Sequence, residues 1–442
     1  MLISFNYHPI IANFAESKHN FAPDKIYSIY MNMSLSEELA WRGFINQSTF
    51  ADLKELDSRA WTFYHGFDAS AESQTVGNMA AMMFDKVFLR HGHKAVLLAG
   101  GATSLIGDPG GKDKERVLQD EQTIAHNVER AKNQIEKILS GHQFELVNNL
   151  DWTKDMKVLP FLRDIGKHFS MTPLVQRDYI ANRLGEGGAG ISYTEFSYTI
   201  LQGMDYLHLY DTHGVTLQLG GSDQWGNCLS GVELIRKARG AEVHVLTLNL
   251  VINKATGKKF GKSEEGAVWL DPAKTSPYKF YQFWLNIDDE GAEGYLKIFT
   301  ELNKDQVDKI MAEFSQNRGA RLAQKTLAYE VTKLAHGQEQ ADRIKRISEV
   351  LFGGTPFQEL NDQEVATLAA EIPTVEANEI QLPALLQQSG LASSLSEARR
   401  FIEGGGVYIN GQKATEITHD MFARGNALLR RGKNNVALIK LK

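Results

Sequence analysis

Four short apolar runs in the first part of the chain alternate with stretches of helical periodicity. The runs are WTFY (61–64), AVLLAGG (95–101), VTLQLGG (215–221) and VHVLTLNLVI (243–252). Uninterrupted apolar runs of this length are typical of strands that are buried on both faces of a sheet. The segment MAAMMFDKVFLRHG, which lies between the first two runs, has helical spacing. The alternation predicts an α/β fold, in which helices cover a parallel sheet.

Beyond residue 270 the strand signals stop and helical patterns follow. In NKDQVDKIMAEF, Asn303 stands three residues before Gln306, which is the spacing of a capping box, and apolar positions repeat at helical intervals. A second helical pattern precedes Gly337, and glycine commonly ends helices. These patterns predict an all-helical domain over residues 271–352.

Local signals divide the rest of the chain into further segments. Residues 353–378 are acidic and irregular and contain two prolines, as expected of a linker. Residues 379–442 mix helix and strand signals around the turn YINGQK and predict a small α+β unit. Residues 1–32 precede the capping-box pattern SLSEELAWRGF and are expected to be a disordered extension of the α/β domain, residues 33–270.

Composition narrows the classes of function. The chain has 442 residues, of which 43% are hydrophobic and 23% charged, as in soluble proteins of about three domains. Its net charge of -6 argues against a uniformly basic coat, but residues 376–442 carry nine Lys or Arg against six Asp or Glu. No apolar run approaches the roughly 18 residues of a membrane span. The single cysteine, Cys228, excludes a multi-cysteine zinc site and fits a cytoplasmic location.

Three loops follow three of the apolar runs: HGFDAS, GGATSLIGDPGGK and GGSDQWGN. Because the carboxyl ends of parallel strands meet at one edge of a sheet, where ligands bind, these loops are expected to form one site. A fourth segment, TGKKFGKSEEG, places Lys259, Lys262 and Ser263 on a glycine-containing loop. A lysine pair in a loop is usually only solvated, but beside the other three loops it indicates phosphate binding.

Taken together, these motifs resemble the bacterial class I tyrosyl-tRNA synthetases from about Met33 to Lys442. KFGKS resembles the KMSKS signature, and GGSDQWGN with EFSYTILQGMD resembles the tyrosine and adenylate pocket. LLQQSGLASSLSEARRFIEGGGVYINGQK resembles the S4 RNA-binding fold. The resemblance implies a Rossmann-like catalytic domain with a dimer-forming insertion, a helical anticodon-binding domain and a small S4-like RNA-binding domain.

The implied reaction has two steps, with tyrosine, ATP and tRNA(Tyr) as substrates. The tyrosine carboxylate attacks the α-phosphorus of ATP and pyrophosphate leaves; a ribose hydroxyl at the 3' end of the tRNA then attacks the tyrosyl-adenylate. Mg²⁺ accompanies the phosphates, and no protein-bound metal is expected. The resemblance also implies a homodimer that has no membrane contact.

The resemblance assigns roles to individual positions. Tyr64 and Asp205 bind the phenol hydroxyl, and they reject phenylalanine because it would leave them unpaired, an effect for which this family is the standard example. The other tyrosine-binding residues are Asp108, Tyr198, Gln202 and Gln224. The adenylate-binding residues are Gly66, Asp68, Ser70, Gly77, Gly221 and Asp223. The catalytic set is Thr75, Asn78, Lys112, Arg116, Lys259, Lys262 and Ser263. The RNA-binding set is Arg399, Arg400, Lys413, Arg430 and Arg431.

The sequence departs from the family in the loop that normally reads HIGH, which here reads TVGN (75–78). Asparagine can place an amide donor close to where a histidine nitrogen would stand. Threonine is shorter and never cationic, so a phosphate contact worth about 1–3 kcal/mol is expected to weaken. Ser70, the helix N-terminus near Gly77 and the lysines still favour phosphate binding, so an active enzyme is predicted.

Two alternatives stay open. A non-catalytic RNA-binding protein built on a synthetase body would bind RNA without turning over ATP. The sister tryptophanyl enzyme is disfavoured, because Tyr64 and Asp205 suit a phenol hydroxyl and an S4-like tail is not expected there. Met204, beside Asp205, also departs from the family pattern and is expected to pack rather than react.

Overall fold

The computed structural model describes residues 33–108, 119–176, 178–188, 190–253, 257, 259–263, 266–352, 355–432 and 435–442. The extension predicted for residues 1–32 lies outside these ranges. The strands are β1 (Ile45–Ser48), β2 (Thr62–Phe67), β3 (Lys94–Ala99), β4 (Phe144–Asn148), β5 (Leu217–Gly221), β6 (His244–Leu248), β7 (Lys262–Ser263), β8 (Gly266–Ala267), β9 (Thr374–Ala377), β10 (Val407–Ile409), β11 (Gln412–Lys413), β12 (Asn426–Arg431) and β13 (Asn435–Leu441).

The helices cover both faces of the first sheet and fill the middle of the chain. In the first part they are α1 (Leu35–Arg42), α2 (Val76–Arg90), α3 (Gly101–Ile106), α4 (Glu121–Ile138), α5 (Leu150–Thr153), α6 (Val158–Pro160), α7 (Met171–Val175), α8 (Asp178–Leu184), α9 (Tyr193–His213) and α10 (Trp225–Arg239). The later ones are α11 (Pro277–Leu285), α12 (Ala292–Phe299), α13 (Lys304–Gln316), α14 (Leu322–His336), α15 (Gln338–Leu351), α16 (Asp362–Glu371), α17 (Leu382–Gln388) and α18 (Leu395–Glu403).

The first sheet has the strand order β1-β6-β5-β2-β3-β4, and all its neighbours are parallel except β1, which runs antiparallel to β6. The four predicted strands are confirmed as β2, β3, β5 and β6. The two edge strands, β1 and β4, were not predicted. Edge strands are half exposed, so their sequences INQS and FELVN lack a continuous apolar run.

Successive side chains of β2 point to opposite faces of the sheet and contact different helices. Phe63 packs against Phe88 of helix α2, with ring centroids 5.1 Å apart. Tyr64 packs against Tyr206 of helix α9 at the same centroid distance, 5.1 Å. Because the side chains of a strand alternate, α2 lies on one face of the sheet and α9 on the other.

The described residues of 271–352 form five helices and, within them, no strand. The predicted capping box is confirmed: Asn303 accepts from the backbone of Gln306, whose side chain accepts from the backbone of Asn303. Helix α14 ends at Gly337, where φ is 92°. Phe260, within the predicted lysine segment, stacks on Tyr295 of α12 with ring centroids 4.3 Å apart, so this helical region packs directly against that segment.

The C-terminal sheet has the order β11-β10-β12-β13-β9, with β9 parallel to β13 and the other pairs antiparallel. The turn in YINGQK is confirmed, with positive φ at Asn410 and Gly411. The irregular linker predicted for 353–378 is wrong for much of that segment, which contains helix α16 and strand β9. Strand β9 is recognisable only through its partner β13, which lies far away in the sequence.

None of the helices in the described ranges is long and apolar enough to cross a membrane.

Candidate active site

A cavity of about 530 Å³ opens at the carboxyl ends of strands β2, β3 and β5. It brings together fifteen of the residues predicted for the site. They are Tyr64, Gly66, Asp68, Ser70, Thr75, Gly77, Asn78, Asp108, Tyr198, Gln202, Asp205, Gly221, Asp223, Gln224 and Lys259. Lys262 and Ser263 form strand β7, which is paired with β8 close by in the chain. Lys112 and Arg116 lie outside the described residues.

Asp205 is the most deeply held carboxylate of the cavity. Asn149 Nδ2 donates to its Oδ2 and Trp152 Nε1 donates to its Oδ1, each at 2.9 Å. Burial raises the pKa of Asp205 to about 7, although the two hydrogen bonds favour its ionised form. A carboxylate so placed is ready to accept a hydrogen bond from a ligand hydroxyl.

Sequence reasoning missed Asn149 and Trp152. They lie at the carboxyl end of the edge strand β4 and in the short helix α5 that follows it. Since β4 was not predicted, nothing in the sequence placed these side chains beside Asp205.

Tyr64 provides a second polar group at the same end of the cavity. Its hydroxyl is buried and has no hydrogen-bond partner among the described residues. Burial raises the pKa of this phenol well above its ordinary value. An unpartnered buried hydroxyl costs free energy, and a polar ligand group that bonds to it would recover that cost.

Carboxylate and amide groups line the neighbouring part of the cavity. Gln224 Nε2 donates to Asp108 Oδ2 at 2.7 Å, and the hydroxyl of Tyr198 lies 3.4 Å from Asp68 Oδ2. Gln202 Oε1 is buried without a partner among the described residues. Such a set of acceptors suits a small cation, such as the ammonium group of an amino acid.

The loop TVGN begins helix α2, with Thr75 as its N-cap. The segment after the predicted lysines pairs with this loop: Val76 N donates to Val268 O at 3.0 Å, and Leu270 N donates to Gln74 O at 2.9 Å. At Gly261, φ is 93° and an added Cβ would lie 3.1 Å from Gly77 N, so a side chain would be strained there. These contacts hold the loop and the lysine segment together.

A histidine and an aspartate that sequence reasoning missed also line the cavity. His65 Nδ1 lies 2.7 Å from Asp85 Oδ1, and both side chains are nearly buried. Burial raises the pKa of Asp85, while the neighbouring imidazole acts in the opposite direction. His65 follows Tyr64 in β2 and therefore faces α2, on the same side as Asn78. The pair depends on a contact between a strand and a helix, which no local motif signals.

Lys259 lines the cavity beside Asp223. Its Nζ lies 3.6 Å from Asp223 Oδ2, and the two side chains are 68% and 48% exposed. Exposed pairs of this kind contribute little to stability, so Lys259 can exchange its partner for a phosphate at small cost.

Three of the five predicted RNA-binding residues lie on or beside helix α18. Arg399 and Arg400 are exposed on α18, and the guanidinium of Arg431 lies 4.8 Å from the ring centroid of Phe401 on the same helix. We call Arg399, Arg400 and Arg431 the C-terminal basic surface.

Lys413 lies on the other face of the sheet. It pairs with Tyr408, which in turn pairs with Arg430, so all three side chains share one face. The end of the Lys413 side chain lies beside Gly405.

The fifth residue, Arg430, does not lie on this surface. It follows Leu429 in β12 and points to the opposite face from Arg431, where it donates to the carbonyls of Val350 and Leu351 at the end of α15. Arg430 therefore contacts the helical region, and its role in RNA binding stays a prediction.

Comparison with known proteins agrees with this geometry. Residues 56–353 match the model of the tRNA synthetases class I (W and Y), and residues 364–439 match the tyrosine–tRNA ligase SYY-like C-terminal domain. The tyrosine–tRNA ligase of Bacteroides fragilis is 42% identical over 431 residues, which cover 93% of this chain and all of that protein. The chain belongs to the tyrosine–tRNA ligase family.

Two further relatives support the assignment. The tyrosine–tRNA ligase of Streptomyces griseus is 44% identical over 421 residues, covering 92% of this chain and 98% of that protein. Among solved structures, the C-terminally truncated mitochondrial tyrosyl-tRNA synthetase of Aspergillus nidulans matches with a TM-score of 0.66 and 29% identity, covering 74% of this chain and 99% of that one. The family is thus shown both by sequence and by fold, and the enzyme class is that of the ATP-dependent aminoacyl-tRNA synthetases.

Proposed function

We propose that this family member activates L-tyrosine with ATP and transfers the tyrosyl group to the 3' end of tRNA(Tyr) in the cytoplasm. The observation that carries the proposal is the buried pair at one end of the cavity. Tyr64 offers an unpartnered hydroxyl and Asp205 a carboxylate held by two donors. A phenol hydroxyl bonds to both groups, whereas phenylalanine would leave both unpaired.

The remaining cavity residues divide between amino acid and nucleotide. Asp108, Tyr198 and Gln202 hold the α-ammonium, while Gln224 faces the carboxylate. The adenylate-binding residues are Gly66, Asp68, Ser70, Gly77, Gly221 and Asp223. The carboxylate of Asp108, the phenol oxygen of Tyr198 and the amide oxygen of Gln202 line the same cavity, which supports the ammonium assignment.

Charge develops on the departing pyrophosphate, so positioned cations supply the catalysis. We assign this role to Lys259, Lys262 and Ser263, together with Lys112 and Arg116 beyond the described residues. ATP enters as substrate with Mg²⁺ on its phosphates. The described residues contain no group of three or more His, Cys, Asp or Glu side chains that could hold a metal ion.

The C-terminal basic surface is the proposed contact for structured RNA, since it places three cations on or beside one helix. The adjacent arginines of β12 offer a matched test. Arg431→Ala should weaken tRNA binding about threefold to tenfold and make it less sensitive to salt. Arg430→Ala should instead lower the unfolding temperature with little change in tRNA affinity. Equal losses of affinity in both variants would refute the assignment.

The homodimer is proposed from exposed apolar side chains on residues 156–193, the proposed insertion. These side chains are 36–79% exposed and comprise Met156, Val158, Leu159, Leu162, Met171, Leu184 and Tyr193. Exposed apolar side chains concentrated in one segment indicate an interface, and symmetric pairing with a second copy covers them on both chains. Leu159→Asp should halve the mass measured by sedimentation, whereas Leu395→Asp, at an exposed leucine elsewhere, should not.

Tyrosine-dependent exchange of labelled pyrophosphate into ATP tests the central proposal. The wild-type chain should catalyse exchange, and Lys262→Ala should lose most of it. Transfer of labelled tyrosine to tRNA(Tyr) tests the second step. A folded chain that binds tRNA without any exchange would favour the alternative, a catalytically impaired RNA-binding paralogue.

A further inference from the structure

The loop TVGN is held by hydrogen bonds between its own first and last side chains. Thr75 N donates to Asn78 Oδ1 at 2.9 Å, and Thr75 Oγ1 donates to the same oxygen at 2.7 Å. In the other direction, Asn78 N lies 3.5 Å from Thr75 Oγ1. The two residues thus form a capping box at the N-terminus of α2.

These bonds determine which way the Asn78 amide points. The backbone N–H of Thr75 can only donate, so the atom facing it must be the carbonyl oxygen of the amide. The amide nitrogen of Asn78 is therefore on the other side. Asn78 is exposed and lines the cavity, and its Nδ2 has no hydrogen-bond partner among the described residues.

Thr75 is placed differently. Thr75 lines the cavity, but its hydroxyl hydrogen is donated to Asn78. A hydroxyl that donates inward has no hydrogen left to donate to a phosphate oxygen. This is the opposite of the direct phosphate contact expected from its position in the loop.

We propose that Asn78 donates from Nδ2 to an acceptor oxygen of the bound nucleotide, and that Thr75 is a positioning residue that acts only through Asn78. The inference rests on the proposed function and deepens it. It means that the two departures from HIGH are one coupled replacement rather than two separate losses. The loop remains functional because an amide held by threonine supplies the donor.

A double-mutant cycle on tyrosine-dependent pyrophosphate exchange tests the coupling. Thr75→Val removes the hydroxyl with little change of shape and should lower kcat/KM for ATP about 10-fold. In an Asn78→Ala background the same change should have no further effect, because the residue that Thr75 positions is gone. Thr75→Ser retains the hydroxyl and should restore most of the activity.

Asn78→Asp is the variant that tests the donor role of Asn78. Aspartate keeps the oxygen that accepts from Thr75 and is favoured at a helix N-terminus, so the helix should form normally. It lacks the amide donors, and kcat/KM for ATP should fall at least about 10-fold. Tyrosine affinity should be unchanged in every variant, which also verifies that each is folded.

The outcomes separate this inference from the proposed function. If the unaltered chain catalyses exchange but Thr75→Val costs as much in the Asn78→Ala background as it does alone, or costs nothing, the positioning role is overturned. Full activity of Asn78→Asp would overturn the donor role. No exchange by the unaltered chain would overturn the proposed function, and this inference with it.

Discussion

The half of the cavity proposed to bind tyrosine and the half proposed to bind the nucleotide are built in different ways; we call them the tyrosine half and the nucleotide half. In the tyrosine half, Asp205 and Tyr64 are buried on a long helix and a central strand, and Asp205 receives two side-chain donors. In the nucleotide half, the contacts come from loop ends such as Thr75, Asn78 and Lys259. The half that chooses the amino acid is held by the core, whereas the half that handles ATP depends on short-range contacts within loops. Contacts between neighbouring loop residues can change without disturbing the core. The departure of this sequence from the HIGH signature lies in such a loop.

The strongest test of the comparison removes the charge at the centre of the tyrosine half. Asp205→Asn should lower kcat/KM for tyrosine about 100-fold, since a hydrogen bond to a charged group contributes roughly 1.5–3 kcal/mol. ATP affinity should change little. Asp211→Asn, on the same helix but exposed, is the control. A loss confined to the ATP parameters would contradict the division into halves.

Protonation of Asp205 at low pH should also weaken tyrosine binding. The pKa of Asp205 is about 7 in the free protein, and a donated phenol hydroxyl favours the ionised carboxylate, so binding lowers this pKa. Tyrosine affinity should therefore be nearly full at pH 8, about half of that at pH 7, and about 10-fold lower at pH 6 than at pH 8. Calorimetry in two buffers of different ionisation enthalpy should detect proton release on binding near pH 6. Absence of proton release would contradict this protonation scheme.

The hydroxyl of Tyr64 should contribute to selectivity rather than to catalysis. Tyr64→Phe should reduce the preference for tyrosine over phenylalanine about fivefold, as one neutral hydrogen bond is lost. Competition between the two amino acids in the exchange assay measures this ratio. Because the hydroxyl is unpartnered in the free protein, the variant should be at least as stable as the parent; a large fall in unfolding temperature would show a structural role instead.

The smallest effect is expected for the buried pair in the nucleotide half. His65→Ala should raise KM for ATP about threefold and leave KM for tyrosine unchanged. It should also cost stability, because the carboxylate of Asp85 then stays buried without its partner, at about 1–3 kcal/mol. The double variant His65→Ala/Asp85→Ala should regain stability while KM for ATP stays high. A larger change in KM for tyrosine than in KM for ATP would contradict the division of the cavity into two halves.

Features with local signals could be predicted from the sequence. The four central strands were marked by continuous apolar runs, and the loops after them by glycine-rich motifs, which predicted a site at that edge of the sheet. The resemblance to the synthetases then named the fifteen residues that line the cavity. Capping boxes at Ser34 and Asn303 were readable because both members lie within one helical turn.

Features that depend on distant partners could not be predicted in this way. Asn149 and Trp152 reach Asp205 from an edge strand with a mixed sequence, and His65 meets Asp85 across a strand–helix contact. Strand alternation implied that Arg430 and Arg431 face opposite ways, but not which of them faces solvent. That choice depends on how the sheet docks against α15.

The same alternation fixes the register of strand β12. Along Leu-Leu-Arg-Arg (428–431), one face carries Leu428 and Arg430 toward the helical region, and the other carries Leu429 and Arg431 toward α18. A slip of one residue exchanges side chains between the two faces of a strand. Here it would bring Arg430 to the buried position of Leu429 and Gly432 to the position of Arg431. The length of the preceding turn is therefore constrained, because only one register keeps both the docking contact and the arginine beside α18.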